Sequence, residues 1–339
     1  MHEARLWKQL KDGAVQCRLC NHYCAIKPGS RGKCGVRKNT DGVLYSLNYG
    51  KIAALNLDPV EKKPLYHFQP GTRTYSFATM GCNFTCAFCQ NWSLSQAPHE
   101  HDRIEGRAMT PEALVDEALN LKAASISYTY SEPTIFFETM QDTARLAKEK
   151  GLKNIMVSNG FMSRECLDEL APFINAINVD LKAFTEGFYE SITGARLKPV
   201  LENLKYIKHT LKWWLEVTTL LIPGKNDSPD ELDQLTDFLV KELGTDTPWH
   251  ISRFHPNYKM NDADVTQRNS LEAAYELGKS KGLKYVYIGN MPSAQHQYTN
   301  CPGCGELLID RSGFSSTPPA IRNGKCIKCG EPISGVNMG

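Results

Sequence analysis

Apolar runs and amphipathic segments alternate along the middle of this chain. Seven runs rich in β-branched and aromatic residues predict strands, and they occupy residues 74–80, 125–130, 153–158, 175–181, 214–223, 249–254 and 284–289. Between most of them apolar residues recur at helical spacing, and several of these segments begin at Ser or Pro and end at Gly or Lys. Strands that alternate with helices predict an α/β fold with a parallel sheet, either an open doubly wound sheet or a partial (β/α) barrel.

The two ends of the chain differ from the middle in composition. Residues 1–40 and 298–339 are rich in Cys, Gly, Pro and basic residues and show little helical period. We therefore expect an N-terminal Cys-rich segment with a cover over residues 1–70, a barrel over 71–297 and a small C-terminal module over 298–339. The segment DPVEKKPLYHF at 58–68 is too polar for a core strand, so it either covers the site or forms a structural hairpin.

Charge and hydropathy exclude several function classes. The 339 residues include 39 Lys and Arg against 37 Asp and Glu, and a formal net charge of +2 does not favour nucleic acid or an anionic membrane as partner. No run approaches the ~18–20 apolar residues of a membrane helix. The first residues, MHEARLWKQLKDG, lack the apolar core of a secretory signal, so we expect a cytoplasmic protein. In that reducing compartment cysteines act as metal ligands or reactive thiols before they form disulfides.

Eleven of the 12 cysteines fall into three sets, and Cys166 alone lies in a helical pattern that suits a small buried hydrophobe. The N-terminal set is Cys17, Cys20, Cys24 and Cys34, the central set is Cys82, Cys86 and Cys89, and the C-terminal set is Cys301, Cys304, Cys326 and Cys329. Short loops bring thiolates together at little entropic cost, so this clustering predicts three metal sites.

The central set follows the first predicted core strand, at the edge of the sheet where active sites of such folds are built. Three cysteines do not complete a structural zinc site, which needs four ligands. A four-iron cluster held by three thiolates keeps one iron open for a small molecule. The alternative is a zinc knuckle completed by a distant fourth ligand.

The spacing C-x3-C-x2-C, with Phe88 just before the last cysteine, resembles the motif of the radical S-adenosylmethionine (SAM) enzymes. That resemblance implies a [4Fe-4S] cluster that cleaves SAM reductively to a 5'-deoxyadenosyl radical, which abstracts hydrogen from a substrate. It also implies a partial (β/α)6 barrel and an electron donor such as a flavodoxin or ferredoxin. The composition of the two ends adds small cysteine-rich metal-binding segments to this barrel.

The resemblance assigns further residues to cofactor binding. In YTYSEPT the family's paired glycines are replaced, but Glu132 is kept as the carboxylate that meets the SAM ammonium group. The segments SNG (158–160) and DLK (180–182) resemble Thr-Asn-Gly and Asp-Leu-Lys of glycyl-radical activating enzymes. The full set of expected cofactor-binding residues is Phe88, Ser131, Glu132, Ser158, Asn159, Asp180, Lys182, Thr218 and His255.

Purely structural roles are the alternatives for four of these residues. Glu132 would begin a helix and interact with its dipole. Asp180 and Lys182 would form a partly buried ion pair at a strand end. His255 would be an ordinary surface or core histidine, although Arg253 and Tyr258 beside it favour a place in the pocket.

Segments along nearly the whole chain resemble the radical SAM proteins of the AmmeMemoRadiSam system, which are relatives of pyruvate formate-lyase activating enzymes. These segments are CRLCNHYCAI, GKCGVR, DPVEKKPLYHF, GCNFTCAFCQNW, YTYSEPT, PWHISRFHP and the final CPGCG and GKCIKCG. The resemblance adds Memo-like and AMMECR-domain proteins as expected partners.

The two terminal cysteine sets have different spacings. The C-terminal set has two C-x2-C pairs separated by a short hairpin, which predicts a zinc ribbon, with an auxiliary iron–sulfur cluster as the alternative. The N-terminal set is compatible with zinc or with an iron–sulfur cluster, and His22 could replace one of its cysteines. Either metal would add folding energy to a segment too small to bury a core.

Three functions follow from these features. The first is a radical SAM enzyme, and the second is an activase that places a glycyl radical on a partner protein. The SNG and DLK segments favour the activase, but the zinc ribbon and the replaced glycines are not typical of activases. The third is a non-catalytic zinc protein that binds a partner or nucleic acid, and the near-neutral charge and the strand-end motifs count against it.

Overall fold

The computed structural model describes residues 1–291 and 295–339, and an eight-stranded sheet forms its centre. The strands are β1 (Ala54–Pro59), β2 (Arg73–Ala78), β3 (Ser125–Tyr128), β4 (Lys153–Ser158), β5 (Ala176–Asp180), β6 (Trp214–Leu221), β7 (Trp249–Arg253) and β8 (Val286–Gly289). Each strand pairs with the next one along the chain, so the order in space is the order in sequence. Strands β2 to β8 are parallel and match the seven predicted strands, whereas β1 is antiparallel to β2.

Six main helices connect the seven parallel strands. They are α1 (Pro111–Asn120), α2 (Phe137–Glu149), α3 (Arg164–Leu170), α4 (Leu197–Tyr206), α5 (Pro229–Phe238) and α6 (Arg268–Ser280). The side chains of Thr110, Ser163 and Ser228 cap α1, α3 and α5 by accepting a backbone N–H three residues on. A strand order without reversal excludes a doubly wound sheet. The fold is the predicted partial barrel of six βα units, extended by a seventh parallel strand.

Strand β1 is the element of this sheet that the sequence pattern did not predict. Its pairing with β2 runs from Ala54 opposite Ala78 to Pro59 opposite Arg73. An edge strand keeps one side in contact with solvent, which suits the exposed Asn56. Asp58 is buried and is compensated by an ion pair with Lys63 at 2.6 Å. The part of the chain predicted as an N-terminal segment and cover therefore contributes one strand to the barrel sheet.

Short antiparallel strands form the two ends of the chain. At the N-terminus one three-stranded sheet contains His2–Glu3, Val43–Ser46 and Arg37–Thr40. A second three-stranded sheet contains Trp7–Gln9, Val15–Cys17 and Ala25–Ile26. Lys51–Ile52 pairs with Arg107–Ala108. At the C-terminus Thr299–Asn300 pairs with Leu307–Ile309, Arg311–Ser312 with Ser315–Ser316, and Ile321–Arg322 with Lys325–Cys326. These last strands surround a separate small core that includes Leu308, Ile309, Ile321, Ile333 and Met338.

Short helical turns complete the structure. They are Lys11–Gly13, Val60–Lys62, Trp92–Ser95, Ala97–Glu100, Pro133–Phe136, Glu186–Phe188, Tyr189–Thr193, Ile207–Leu211, Leu239–Leu243 and Gln295–Gln297. Within the described ranges, no helix has the length and apolar character that a bilayer crossing requires.

Buried polar contacts attach the C-terminal module to the barrel. Arg311 is fully buried and donates to the Tyr66 carbonyl at 2.8 Å and to Thr299 Oγ1 at 2.6 Å. His67 Nδ1 lies 2.7 Å from the Ser334 carbonyl, and its Nε2 lies 2.6 Å from the Tyr287 hydroxyl. Because a carbonyl can only accept, Nδ1 donates to Ser334 and Nε2 accepts from Tyr287. The module is therefore joined to the segment that follows β1.

Candidate active site

A cavity of about 620 Å³ lies at the carboxyl ends of the parallel strands. Eight of the expected cofactor-binding residues line it together with the three central cysteines: Phe88, Ser131, Glu132, Ser158, Asn159, Asp180, Lys182, Thr218, Cys82, Cys86 and Cys89. The ends of consecutive parallel strands meet at one edge of the sheet, which explains why motifs distant in sequence share this space. His255 is exposed and lies outside the lining of this cavity.

The central cysteines lie in the loop that follows β2. Within this loop Phe84 N donates to Cys82 Sγ at 3.4 Å, and Cys89 Sγ lies 3.2 Å from Ser95 Oγ. Burial raises the pKa of the Cys86 thiol to about 12, although the nearby Lys182 ammonium opposes this shift. A buried thiolate costs free energy unless a positive charge compensates it, and a bound metal supplies such a charge. Cys86 is buried and Cys82 and Cys89 are half-buried. Three thiols that line one cavity in this way fit a [4Fe-4S] cluster with one iron left open.

Glu132 has a buried carboxylate in the wall of the cavity. Its Oε1 accepts from Thr134 N at 3.0 Å, from Thr134 Oγ1 at 2.5 Å and from Ser158 Oγ at 2.8 Å. Among the described residues, its Oε2 accepts from Asn159 N alone, at 2.8 Å. Burial raises the pKa of Glu132, and these hydrogen bonds oppose the rise. The carboxylate caps the Pro133–Phe136 turn and also keeps acceptor capacity on Oε2 for a cationic ligand.

Asp180 and Lys182 combine the two roles that the sequence left open. Lys182 Nζ lies 3.0 Å from Asp180 Oδ2, so they form an ion pair, and both also line the cavity. Burial disfavours the charge on Lys182, but Asp180 and the Cys86 sulfur outweigh it and raise its pKa. The ammonium also lies 5.6 Å from the centre of the Phe88 ring. A fixed cation therefore stands beside the central cysteines.

Tyr130 and Ser131 occupy the positions of the family's glycines. Tyr130 has a φ of +62°, a conformation that glycine adopts more easily. Its hydroxyl donates a short hydrogen bond to Asp58, and Lys63 Nζ lies 4.4 Å from its ring centre. Ser131 Oγ donates to the Thr79 carbonyl at 2.7 Å. These contacts hold a left-handed residue in the cavity wall and tie it to the end of β1.

Strand β7 contributes His250 to the cavity instead of the expected His255. Successive strand residues point to opposite faces, so His250 and Ser252 face the cavity while Trp249 and Ile251 are buried in the core. His250 Nε2 lies 2.7 Å from Glu216 Oε2 on β6. His255 follows the end of the strand, where this alternation no longer determines its direction. The polar alternation inside WHISR was the signal that pointed to His250.

The lining also contains residues that the motifs did not indicate. Asn178 is two positions before Asp180 on β5, so the same alternation would have identified it, and it accepts from Thr218 Oγ1 at 2.9 Å. Glu61 and Lys62 follow β1, in the segment expected to cover the site. Gly313 and Phe314 belong to a hairpin of the C-terminal module. Their presence depends on how the module packs, and no local pattern indicates it.

The C-terminal cysteine set has the geometry of a tetrahedral ion site. Cys301 Sγ lies 3.5 Å from Cys329 Sγ, and Cys304 Sγ lies 3.9 Å from Cys326 Sγ. Zinc–sulfur bonds of ~2.3 Å in a tetrahedron place sulfurs about 3.8 Å apart. Among the described residues, this set alone brings three or more Cys, His, Asp or Glu ligand atoms within 4.8 Å of one another. The central and N-terminal sets are spaced more widely.

Comparison with known proteins agrees with this geometry. The model of the radical SAM superfamily matches residues 77–239. An uncharacterized protein of Methanocaldococcus jannaschii is 45% identical over 335 residues, which are 98% of this chain and 99% of that protein. A putative glycyl-radical enzyme activating enzyme of the same organism is 28% identical over 211 residues, 61% of this chain and 76% of the relative. A crystal structure of a radical SAM methyltransferase from Sphaerobacter thermophilus has the same fold, with a TM-score of 0.51, 16% identity and coverage of 65% of this chain and 67% of that one.

Proposed function

The chain belongs to the radical SAM superfamily, and on this premise we propose that it binds a [4Fe-4S] cluster at Cys82, Cys86 and Cys89 and SAM in the adjoining cavity. When bound, the cluster supplies the electron that cleaves SAM to a 5'-deoxyadenosyl radical, which abstracts hydrogen from a substrate. The observation that supports this most directly is that three thiols, the Glu132 carboxylate and the Lys182 ammonium line one cavity. Membership of an enzyme superfamily counts against the alternative of a non-catalytic zinc-binding protein.

The proposed roles of the lining residues follow from their charges. Glu132 Oε2 accepts from the SAM ammonium group, because that oxygen has one protein donor and the carboxylate is held by Ser158 and Asn159. Lys182 contacts the SAM carboxylate, and Asp180 keeps the lysine charged and in place. Phe88 packs beside this cation, and Thr218 lies along the adenosyl group. Buried groups that are already oriented lose little entropy when the ligand binds.

A second candidate function is activation of a glycyl-radical enzyme. The relative described as a putative activating enzyme supports it, as do the SNG and DLK segments at the ends of β4 and β5. In this case the hydrogen is taken from a backbone glycine of a partner protein. Mass spectrometry for 5'-deoxyadenosine with and without a candidate protein partner separates the two functions.

Partners and the remaining metal are also proposals. An external one-electron donor such as a flavodoxin or ferredoxin reduces the central cluster. The resemblance proposes Memo-like and AMMECR-domain proteins as further partners. The sulfur spacing of the C-terminal set supports zinc as its metal. A cytoplasmic location stays a prediction from the sequence.

Anaerobic reduction in the presence of SAM tests the main proposal. The native chain is expected to release 5'-deoxyadenosine, and Cys86→Ala is expected to abolish the product because the cluster loses one of its three ligands. Cys166→Ala is the matched control, since Cys166 is a buried cysteine outside the cavity lining. A Cys86→Ala variant with the native yield of 5'-deoxyadenosine would overturn the proposal.

Substitution of Glu132 tests the binding site separately from the cluster. Glu132→Gln removes the charge that the SAM ammonium group contacts, and loss of one charge-assisted hydrogen bond, worth ~1.5–3 kcal/mol, weakens binding about 10- to 100-fold. Calorimetric titration of the iron-loaded protein with SAM measures this change, with iron content expected to stay at the native value. Glu190→Gln, at an exposed glutamate, should bind SAM as the native chain does. Equal affinity of the native and Glu132→Gln proteins would exclude the assigned role.

A further inference from the structure

The four N-terminal cysteines converge in a buried part of the structure. Cys17 N donates to the Cys24 carbonyl at 3.0 Å across paired strands, and Gly35 N donates to the Gly32 carbonyl at 2.9 Å in the turn that contains Cys34. Cys17, Cys20 and Cys34 are buried, and Cys24 is half-buried. Tyr23 N donates to the Cys20 carbonyl at 3.0 Å in the turn that leads to Cys24. A Cβ at Gly32, two residues before Cys34, would lie 3.7 Å from Cys24 Sγ. Four thiols gathered in this way indicate a metal site.

The spacing of these sulfurs differs from that of the C-terminal set. The C-terminal sulfurs lie within 4.8 Å of one another, as a single zinc ion requires. In the described chain no three ligand atoms of the N-terminal set meet that limit, and the same is true of the central set. Thiolates around a four-iron cluster bind separate iron atoms, so they stand farther apart than ligands of one ion. Among the described residues, the N-terminal set thus lacks the close spacing that a single zinc ion requires, as the central set does.

A buried cation provides a second observation at this site. Arg37 is 1% exposed, and its Nη2 donates to both carboxylate oxygens of Glu138 at 2.7 and 2.8 Å. Its Nε is buried and has no hydrogen-bond partner among the described residues. The Arg37 carbonyl accepts from Gly32 N at 2.9 Å, so this residue is tied to the turn that contains Cys34. A buried N–H without an acceptor is costly. Cysteine sulfurs can accept it whichever metal they bind, and a cluster adds inorganic sulfides as further acceptors.

The site also lies directly behind the active-site loops. His22 Nε2 lies 2.8 Å from the Asn83 carbonyl, next to the ligand Cys82. Asn21 N donates to the Phe161 carbonyl at 3.0 Å, two residues after Asn159 in the cavity wall. The N-terminal segment is thus packed against two of the loops that form the cavity.

From this spacing, burial and orphan donor we propose that Cys17, Cys20, Cys24 and Cys34 bind a second [4Fe-4S] cluster. It is fully ligated by protein, so it has no open iron for SAM and differs in this from the central site. The assignment does not depend on the proposed reaction, because it concerns a separate ligand set.

Metal content of the native chain is the first test. Protein isolated without oxygen from cells supplied with both iron and zinc is expected to contain about eight irons, eight sulfides and one zinc. About four irons with two zincs would overturn the second cluster and leave the central one intact. Mössbauer spectroscopy of the same sample is expected to assign about eight irons per chain to [4Fe-4S] clusters, and assignment of only about four would also overturn the proposal.

A variant without the central ligands isolates the N-terminal site. The chain with Cys82, Cys86 and Cys89 replaced by Ala is expected to keep about four irons and one zinc, and to lose that iron when Cys20→Ser is added. Cys166→Ala is the control, because this buried thiol is close to Cys20 and belongs to neither set. Retention of zinc without iron in the triple variant would overturn the proposal. Formation of 5'-deoxyadenosine by the native chain tests the central cluster, and iron content of the triple variant tests the N-terminal cluster. Failure of one proposal is therefore distinguishable from failure of the other.

Discussion

Gly81 stands between the first cysteine of the active site and the N-terminal segment. Its φ is +111°, and a Cβ at this position would lie 2.7 Å from Val36 Cγ1 and 3.2 Å from the Cys34 carbonyl oxygen. Both the backbone conformation and the close packing exclude a larger residue here. One glycine therefore lets the two segments for which we propose clusters come into direct contact.

We expect Gly81→Ala to lower the free energy of unfolding by about 2–5 kcal/mol, because left-handed strain adds to overpacking. Thermal or denaturant unfolding, with iron content measured in parallel, checks this. Gly151→Ala is the matched control, since Gly151 has a φ of +82° and no atom within 4 Å of the added Cβ. The control should lose only about 1–2 kcal/mol. If the two variants lost the same free energy of unfolding, the contact of Gly81 with the N-terminal segment would not contribute to the destabilisation.

Single residues also show how far the sequence predicts the site. Glu132, Asp180 and Lys182 were identified because they follow predicted strands in recognisable motifs, and strand ends of a parallel sheet converge. The sequence predicted His255 in the cavity because Arg253 and Tyr258 lie near it in the chain. Beyond the end of a strand, however, the direction of a side chain depends on the path of the following loop. His250 lies inside the strand, where alternation fixes its direction.

At the scale of elements, periodicity predicted the interior of the fold better than its edges. Strands β2 to β7 each lie between two neighbouring strands, and their apolar runs made them easy to predict. The order of the strands in the sheet could not be derived from periodicity. It depends on where each connecting helix returns the chain to the sheet, and the pattern within a strand does not determine this. Periodicity also gave no indication of the junction at residues 66–69. This segment joins the barrel to the C-terminal module through pairing of Phe68 with Val336, a contact between parts distant in sequence.

His67 makes this junction sensitive to acid. Burial lowers the pKa of His67 to about 4 from 6.5, although Glu216 opposes the shift. Between pH 6.5 and 4 the unfolded chain binds a proton that the folded chain excludes, so stability falls as the pH falls through this window, by up to about 3 kcal/mol. Denaturant unfolding at several pH values is expected to show a smaller loss for His67→Gln than for the native chain. His209→Gln, at an exposed histidine, should keep the native slope, and an unchanged slope in His67→Gln would contradict this assignment.

At the scale of the whole molecule, the cavity wall combines parts that are distant in sequence. The barrel supplies the strand ends, β1 leads to Glu61 and Lys62, and the C-terminal module contributes Gly313 and Phe314. The module has its own small core and the proposed zinc site, and buried Arg311 attaches it to the Tyr66 carbonyl. Its folding is therefore expected to depend on the metal more than that of the barrel does.

We expect Cys301→Ser to abolish zinc binding and to unfold the module while the barrel stays folded. Hydrogen exchange measured by mass spectrometry should show lost protection over residues 299–338 and native protection in β3 to β6. Cleavage of SAM should change less than stability does, because no ligand of the central cluster is altered. Glu331→Gln, at a partly exposed residue of the same module, is the control. Native protection in zinc-free protein would contradict the proposed role of the metal.

The position of Phe314 in the cavity wall has a consequence for synthesis of the protein on the ribosome. The chain emerges from its N-terminus, so the loop of Cys82, Cys86 and Cys89 and all seven parallel strands leave the ribosome before the hairpin that contains Phe314. Until that hairpin docks, this side of the cavity is open to bulk solvent and to dissolved oxygen. A nascent chain that received the proposed cluster before this hairpin docked would therefore hold it in a cavity that lacks the part of its wall formed by Gly313 and Phe314.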